Sequence, residues 1–231
     1  MALFCSSANG SRTFLCVTLL WGLPIMAIVV HHLNNSRSQR IVWLLEELGL
    51  EYRIQHYQRD AVSNLAPPEL KKIHPLGKSP LLEVDDELIE ESGAIVQYLC
   101  ERYGQGRFLP APGSRDSLLH LQWMHFAEGS AMTPILLRLY VSRLGDAGKP
   151  LHPRIDEQLT SYFDYMESRL RPSGHYVGDD WSAADVMLSF PAELAVMQPE
   201  AERWPKLKDF VDRIHARPAW QKAYALTGGY F

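Results

Sequence analysis

Gly77-Lys78-Ser79-Pro80-Leu81-Leu82-Glu83-Val84, followed by Asp85 to Glu90 and then Glu91-Ser92-Gly93-Ala94-Ile95, is the stretch on which the fold turns. Leu81 to Val84 is a short apolar run of the kind that forms a buried strand. Asp85-Asp86 reads as a turn, and Leu88-Ile89 supplies a second, antiparallel strand. Ser92 stands just ahead of a helical pattern set by Ile95, Tyr98 and Leu99. Pro80 has no N–H for a strand ladder, so it belongs at the first residue of its strand. X-Pro bonds are seldom cis, so trans is the expectation from the residues alone.

Toward the N-terminus, Ile25 to Val30 is a continuous apolar run rich in β-branched residues, read as a buried strand, and His31 to Asn35 as a polar loop. Ile41, Leu44, Leu45 and Leu48 then keep helical spacing, and Gly49 stops the helix. Glu51 to Tyr57 reads as a second strand, so strand, helix and strand make a parallel βαβ unit. Pro67 to Lys72 opens a short helix, with proline tolerated in the first turn. The resulting β-α-β-α-β-β-α order is the thioredoxin-like layout, a mixed four-stranded sheet expected over residues 25–107. No C-x-x-C accompanies it, so exchange by a protein dithiol is not expected.

Gly104 to Gly113 is rich in Gly and Pro and reads as a linker. Beyond it the period is helical, and residues 114–231 are expected to form an all-helical bundle domain. Leu118, Leu119, Met124, Phe126, Ile135, Leu136 and Leu139 belong to one or two long helices. Ile155, Leu159, Tyr162, Phe163, Met166 and Leu170 form another. Ser182-Ala183-Ala184-Asp185 is a capping box at a further helix start. Residues 1–24 differ from the rest: a polar stretch with Arg12 is followed by an apolar run, Phe14 to Leu23, as in a secretory leader. The run is too short to span a bilayer and meets Pro24. No A-x-A-like site precedes the first strand, so an N-terminal extension or an upstream mis-start is preferred to secretion.

The order Pro75-Leu76-Gly77-Lys78-Ser79-Pro80-Leu81-Leu82 with Glu91-Ser92-Gly93-Ala94-Ile95 resembles the glutathione-binding half of soluble glutathione transferases. Trp204-Pro205-Lys206-Leu207 through Trp220 resembles the final helices of the same family. His74 to Pro80 and Phe126-Ala127-Glu128-Gly129-Ser130 look most like its Gtt-like bacterial and fungal branch. The resemblance implies a cis bond before Pro80, with the backbone of Ser79 pairing with the cysteinyl part of glutathione. It implies Glu91 and Ser92 at the γ-glutamyl end, and Lys78 at the glycine carboxylate. Elementary chemistry agrees: a helix N-terminus suits a carboxylate, Glu91 can answer an ammonium, and Lys78 a second carboxylate. Taken singly, Ser92 is also an ordinary cap, Glu91 a dipole complement and Lys78 a solvated charge. It is the ordered combination that points to a ligand.

A free thiol ionises near ~8.5, so activating glutathione means lowering that value. A hydroxyl or amide donor aimed at the sulfur does this. Serine-type members keep a serine in the turn after the first strand, ahead of a helix arginine. Ser36, before Arg40, is the catalytic candidate by that resemblance, with Asn35 and Ser38 as alternatives. Ser36-x-x-Gln39 also reads as a capping box, so the two roles stand side by side. The tyrosine of other classes has no counterpart beside His31-His32. Trp123, Phe126, Met132 and Tyr140 are candidate walls for a second, electrophilic substrate, although aromatic and Met residues at helical spacing are also ordinary core.

The wider composition excludes other classes. With 46% hydrophobic and 22% charged residues the chain has a globular rather than a disordered make-up. A formal net charge of −4 without a Lys/Arg block argues against nucleic-acid or anionic-membrane partners. Three cysteines, Cys5, Cys16 and Cys100, make no disulfide framework and favour a reducing, cytoplasmic setting. No histidine pattern fits a metal site, and no G-x-S-x-G elbow or phosphate loop occurs. The resemblance implies a homodimeric transferase that takes glutathione as co-substrate with a small hydrophobic electrophile. A glutathione-dependent peroxidase or disulfide reductase, or a non-catalytic glutathione-binding regulator, would use the same pocket.

Overall fold

A computed structural model describes residues 27–229. The expected extension over residues 1–24 lies outside the described residues, as do Ile25, Met26, Cys5 and Cys16.

The N-terminal half runs β1 (Ile28–Leu33), α1 (Gln39–Leu48), β2 (Arg53–Tyr57), α2 (Leu70–Ile73), β3 (Leu81–Val84), β4 (Glu87–Ile89) and α3 (Ser92–Tyr103). The four strands lie in the order β2-β1-β3-β4. β1 and β2, joined through the α1 crossover, are parallel, and the other pairs are antiparallel. This is the thioredoxin-like sheet. Gly49 ends α1 in the left-handed conformation at φ 70°, its N–H returning to Glu46 and Leu45 carbonyls.

The expected loop at His31 to Asn35 is corrected at its start: β1 continues through His31, His32 and Leu33, paired with Gln55, His56 and Tyr57. Polarity misled here because both imidazoles are buried yet bonded. His31 Nδ1 meets Tyr57 OH at 2.9 Å, and His32 Nδ1 meets Ser38 Oγ at 2.7 Å. Partnered polar groups are tolerated inside a sheet. His31 Nε2 also lies 3.0 Å from Glu83 Oε1, out of line for a hydrogen bond.

The C-terminal half is helical: α4 (Arg115–His125), α5 (Met132–Val141), α6 (His152–Arg169), α7 (Ala183–Val196), α8 (Pro205–His215) and α9 (Pro218–Thr227). Between α4 and α5, Phe126–Ala131 winds as a π-helix. One apolar core joins the halves, from Val30 and Leu82 in the sheet, through Leu44 and Ile95, to Met187 on α7 and Phe210 on α8. Ion pairs Arg217–Glu47 and Lys222–Glu46 tie α9 to α1. Continuous packing fixes α7 and α9 of the bundle against α1 and α3 of the N-terminal half.

The capping box forms as its residues require. Asp185 N–H donates to Ser182 Oγ at 3.4 Å, and Ser182 N–H donates to Asp185 Oδ2 at 2.8 Å. Asp185 Oδ1 also accepts Tyr176 N–H at 2.9 Å. Burial pushes the Asp185 carboxyl up to about 6, against these hydrogen bonds. The linker is pinned to the same corner, Phe108 O accepting Ala183 N–H at 2.8 Å. Replacing Ser182 and Asp185 together with alanine is expected to lower stability by roughly 1–2 kcal/mol or more. A urea melt checks this; an unchanged midpoint with lost activity would contradict a purely folding role.

Candidate active site

Three segments come together at one end of the two central strands: the turn from β1 to α1, the start of β3, and the start of α3. The turn holds Ser36, with 8% of its surface exposed. Ser36 Oγ lies 2.7 Å from Ser38 Oγ and 3.4 Å from Ser79 Oγ. It also accepts Ser38 N–H at 3.3 Å. Helix α1 takes Ser38 as its N-cap with no side-chain cap bond, so Ser36 bonds as a serine turn. Asn35 is exposed with φ 51°. Ser38 is fully buried and bonded to His32. Arg59 holds the turn from outside, its N–H on Asn34 Oδ1 at 2.7 Å and its guanidinium on Asn34 O at 3.1 Å.

The bond from Ser79 to Pro80 is cis, correcting the trans default and agreeing with the resemblance. Ser79 Oγ donates to His31 O at 2.8 Å and accepts Leu33 N–H at 3.2 Å, so it ties β3 to β1. Lys78, just before, is exposed. Gly77 has φ 56°, and a Cβ there would stand 2.7 Å from Lys71 Cγ, so glycine is required.

At α3, Glu91 is the N-cap with φ 66° and ψ 116°, a conformation that costs an L-residue roughly 1–3 kcal/mol. Strain at an exposed acidic residue beside a helix N-terminus is the kind that function retains. Neither its side chain nor that of Lys78 has a hydrogen-bond or ion-pair partner among the described residues. Ser92 is buried and donates to Glu128 Oε1 at 3.3 Å.

Glu128, a residue to which the sequence reading assigned no role, is the hub between the halves. It sits in the π-helix, a form often found at functional sites. Arg40 Nη2 meets it at 2.9 Å, and Arg37 bonds its other oxygen. Burial pushes the Glu128 carboxyl up, but the Arg40 and Arg37 guanidiniums outweigh that and hold it below the usual range. Arg40 is wholly buried and also donates to Met187 O at 2.7 Å. Gly129, placed inside a helical pattern beside Glu128, is the sequence signal of a local irregularity.

The proposed second-substrate residues divide. Trp123 is only 2% exposed and packs against Phe126, Tyr165 and Tyr176 within the bundle core. Met132 is likewise buried, against Phe190. Phe126 is half-buried. Tyr140 is 57% exposed. Burial pushes the Cys100 thiol up to about 12, leaving it inert. Among the described residues no His, Cys, Asp and Glu group could hold a metal ion, and no helix is long and apolar enough to cross a membrane.

Comparison with known proteins agrees with the fold. The N-terminal domain of glutathione S-transferases matches residues 27–101, and the C-terminal domain of glutathione S-transferases matches residues 130–218. The chain is 33% identical to glutathione S-transferase 1 of Saccharomyces cerevisiae, over 90% of this chain and 99% of that one. It is 34% identical to glutathione S-transferase 3 of Schizosaccharomyces pombe, over 83% and 84%. A solved glutathione S-transferase from Actinobacillus pleuropneumoniae superposes with a TM-score of 0.79 at 34% identity, over 87% of this chain and 93% of that one. With both domain types in order and identity sustained over nearly the whole length of the yeast protein, the chain belongs to the glutathione S-transferase family.

Proposed function

We propose that the chain takes glutathione as co-substrate, lying across the ends of the central strands β1 and β3, and activates its thiol for attack on an electrophile. In this reading Lys78 meets the glycine carboxylate, and the Ser79 backbone beside Pro80 pairs with the cysteinyl unit. Glu91 answers the γ-glutamyl ammonium, and the free N–H groups at the start of α3, Ser92 among them, receive the γ-glutamyl carboxylate. Ser36 donates to the thiolate. The observation that carries the reading is the approach of Ser36 Oγ to Ser79 Oγ, 3.4 Å, which sets the candidate donor beside the residue preceding Pro80. The unpartnered Lys78 and the strained Glu91 then leave opposite charges free for the two ends of a zwitterion.

The electrophile is assigned to the side of the groove near Tyr140 and Phe126. We extend the family resemblance to a cytoplasmic homodimer with a detoxifying role, on domains spanning residues 25–107 and 114–231. Lys78→Ala is expected to weaken glutathione binding about tenfold, the share of one exposed charge-assisted bond. Calorimetry on the variant checks that; an unchanged Kd would move the glycine carboxylate elsewhere. Retention on immobilised glutathione, followed by turnover with a panel of electrophiles, tests the activity. Retention without turnover would favour a binding protein of the same fold.

A further inference from the structure

Behind the groove, three hydroxyls and one imidazole form a buried chain. Ser36 Oγ is 2.7 Å from Ser38 Oγ, which is 2.7 Å from His32 Nδ1. The direction of each bond follows from the ends of the chain. At the inner end, the backbone of Thr227, the last residue of α9, favours the protonated form of the His32 ring, as a carbonyl acceptor does. A carbonyl only accepts, so the nitrogen facing it carries a proton. Nδ1 is engaged by Ser38, so that nitrogen is Nε2. Burial pushes His32 down to about 4, and the His56 ring, edge-on at 5.4 Å, adds to it. The ring is therefore neutral at working pH, with one N–H, and Nδ1 is an acceptor.

The hydroxyl protons are then determined. Ser38 donates to Nδ1, so it can only accept from Ser36. Ser79 gives its proton to His31 O at 2.8 Å, so across the 3.4 Å contact it too can only accept from Ser36. Ser36 also accepts the Ser38 N–H. Every serine proton in the cluster points inward, and what Ser36 keeps unengaged is a lone pair.

We propose that His32 and Ser38 are positioning residues that compete with the bound sulfur for the Ser36 proton, holding it inward until a thiolate draws it out. This rests on the reading of Ser36 as thiolate donor. An incoming S–H donates to the free lone pair of Ser36. When the thiol loses its proton to solvent, the sulfur has only lone pairs, and the Ser36 O–H must rotate away from Ser38 to reach it. The bond given up to Ser38 subtracts from what Ser36 offers the thiolate. Opposing that bond makes the thiol easier to ionise, and the sign of this effect is opposite to that of damage to the site.

The test follows thiolate ultraviolet absorbance against pH in the full chain saturated with glutathione. The variants are Ser36→Ala, Ser38→Ala, His32→Phe and Ser38→Thr, each first checked for folding by circular dichroism. Ser36→Ala should raise the bound thiol pKa. Ser38→Ala removes the competitor, and His32→Phe leaves the Ser38 proton free to turn toward Ser36. Each should lower the pKa by about half a unit to one unit, while Ser38→Thr keeps the wild-type value. A general loosening of the turn would raise the pKa or lose glutathione. If Ser38→Ala does not fold, His32→Phe carries the test. An unchanged or raised pKa in either folded variant, with Ser36→Ala still raising it, overturns the relay and leaves Ser36 as the donor. No effect of Ser36→Ala overturns both.

Discussion

Replacing Ser36 with alanine is expected to raise the pKa of the bound glutathione thiol by about one to two units, because a hydrogen bond to a charged group is worth roughly 1.5–3 kcal/mol. Turnover at neutral pH should fall about ten- to hundredfold, in step with the lost thiolate. Affinity for glutathione should fall only slightly, since both termini of the tripeptide keep their partners. The sign with pH is specific. Below both pKa values the thiol is neutral in either protein, and turnover is low in both. Above the raised value the variant regains its thiolate, so its deficit shrinks as pH rises. A variant that had merely lost its fold would not recover at alkaline pH. Turnover equal to wild type across the range would eliminate Ser36 as the donor.

Removing Glu128 should have the largest effect on stability. Arg40 is wholly buried, and its guanidinium has the Glu128 carboxylate as its ion-pair partner. Breaking a buried pair by deleting one member leaves an uncompensated charge, which costs about 3–5 kcal/mol. Glu128 keeps some solvent access, with 22% of its side chain exposed, so Glu128→Ala is placed near the low end, at about 3 kcal/mol. Glu128→Gln should lose less, because an amide oxygen still accepts from Arg40. The pH dependence has a definite sign. The folded carboxyl titrates below its unfolded value, so its contribution is full above the ordinary carboxylate range and is lost as pH falls from there through the lowered folded value. Urea melts from neutral pH down to about 3 should show that acid loss in wild type and a smaller one in Glu128→Gln. Equal midpoints for Glu128→Ala and wild type would contradict the bridging role.

The layers of the fold were legible where local chemistry and tertiary context agree. Leu81 to Val84, the Asp85-Asp86 turn and the Ser182-to-Asp185 box each specify their structure within a few residues, and each forms as expected. Misreadings arose where a distant partner decides. His31 and His32 look like loop residues until Tyr57, Ser38 and the pairing with β2 are in place. Trp123 could wall a cleft or fill a core, and only the rings of Phe126, Tyr165 and Tyr176 around it decide for the core. Glu128 was visible as part of a family-like run, yet its partners Arg37, Arg40 and Ser92 are far away in sequence. Helical periodicity carries no signal for a single π-turn, which is what places that carboxylate between the two halves.

A crystal structure of the protein with glutathione bound tests the central assignment most directly. The sulfur should lie within hydrogen-bond reach of Ser36 Oγ, with the cysteinyl backbone on Ser79, the γ-glutamyl end at Glu91 and the start of α3, and the glycine carboxylate toward Lys78. Glutathione seated elsewhere, or a sulfur facing a side chain other than Ser36, would contradict it.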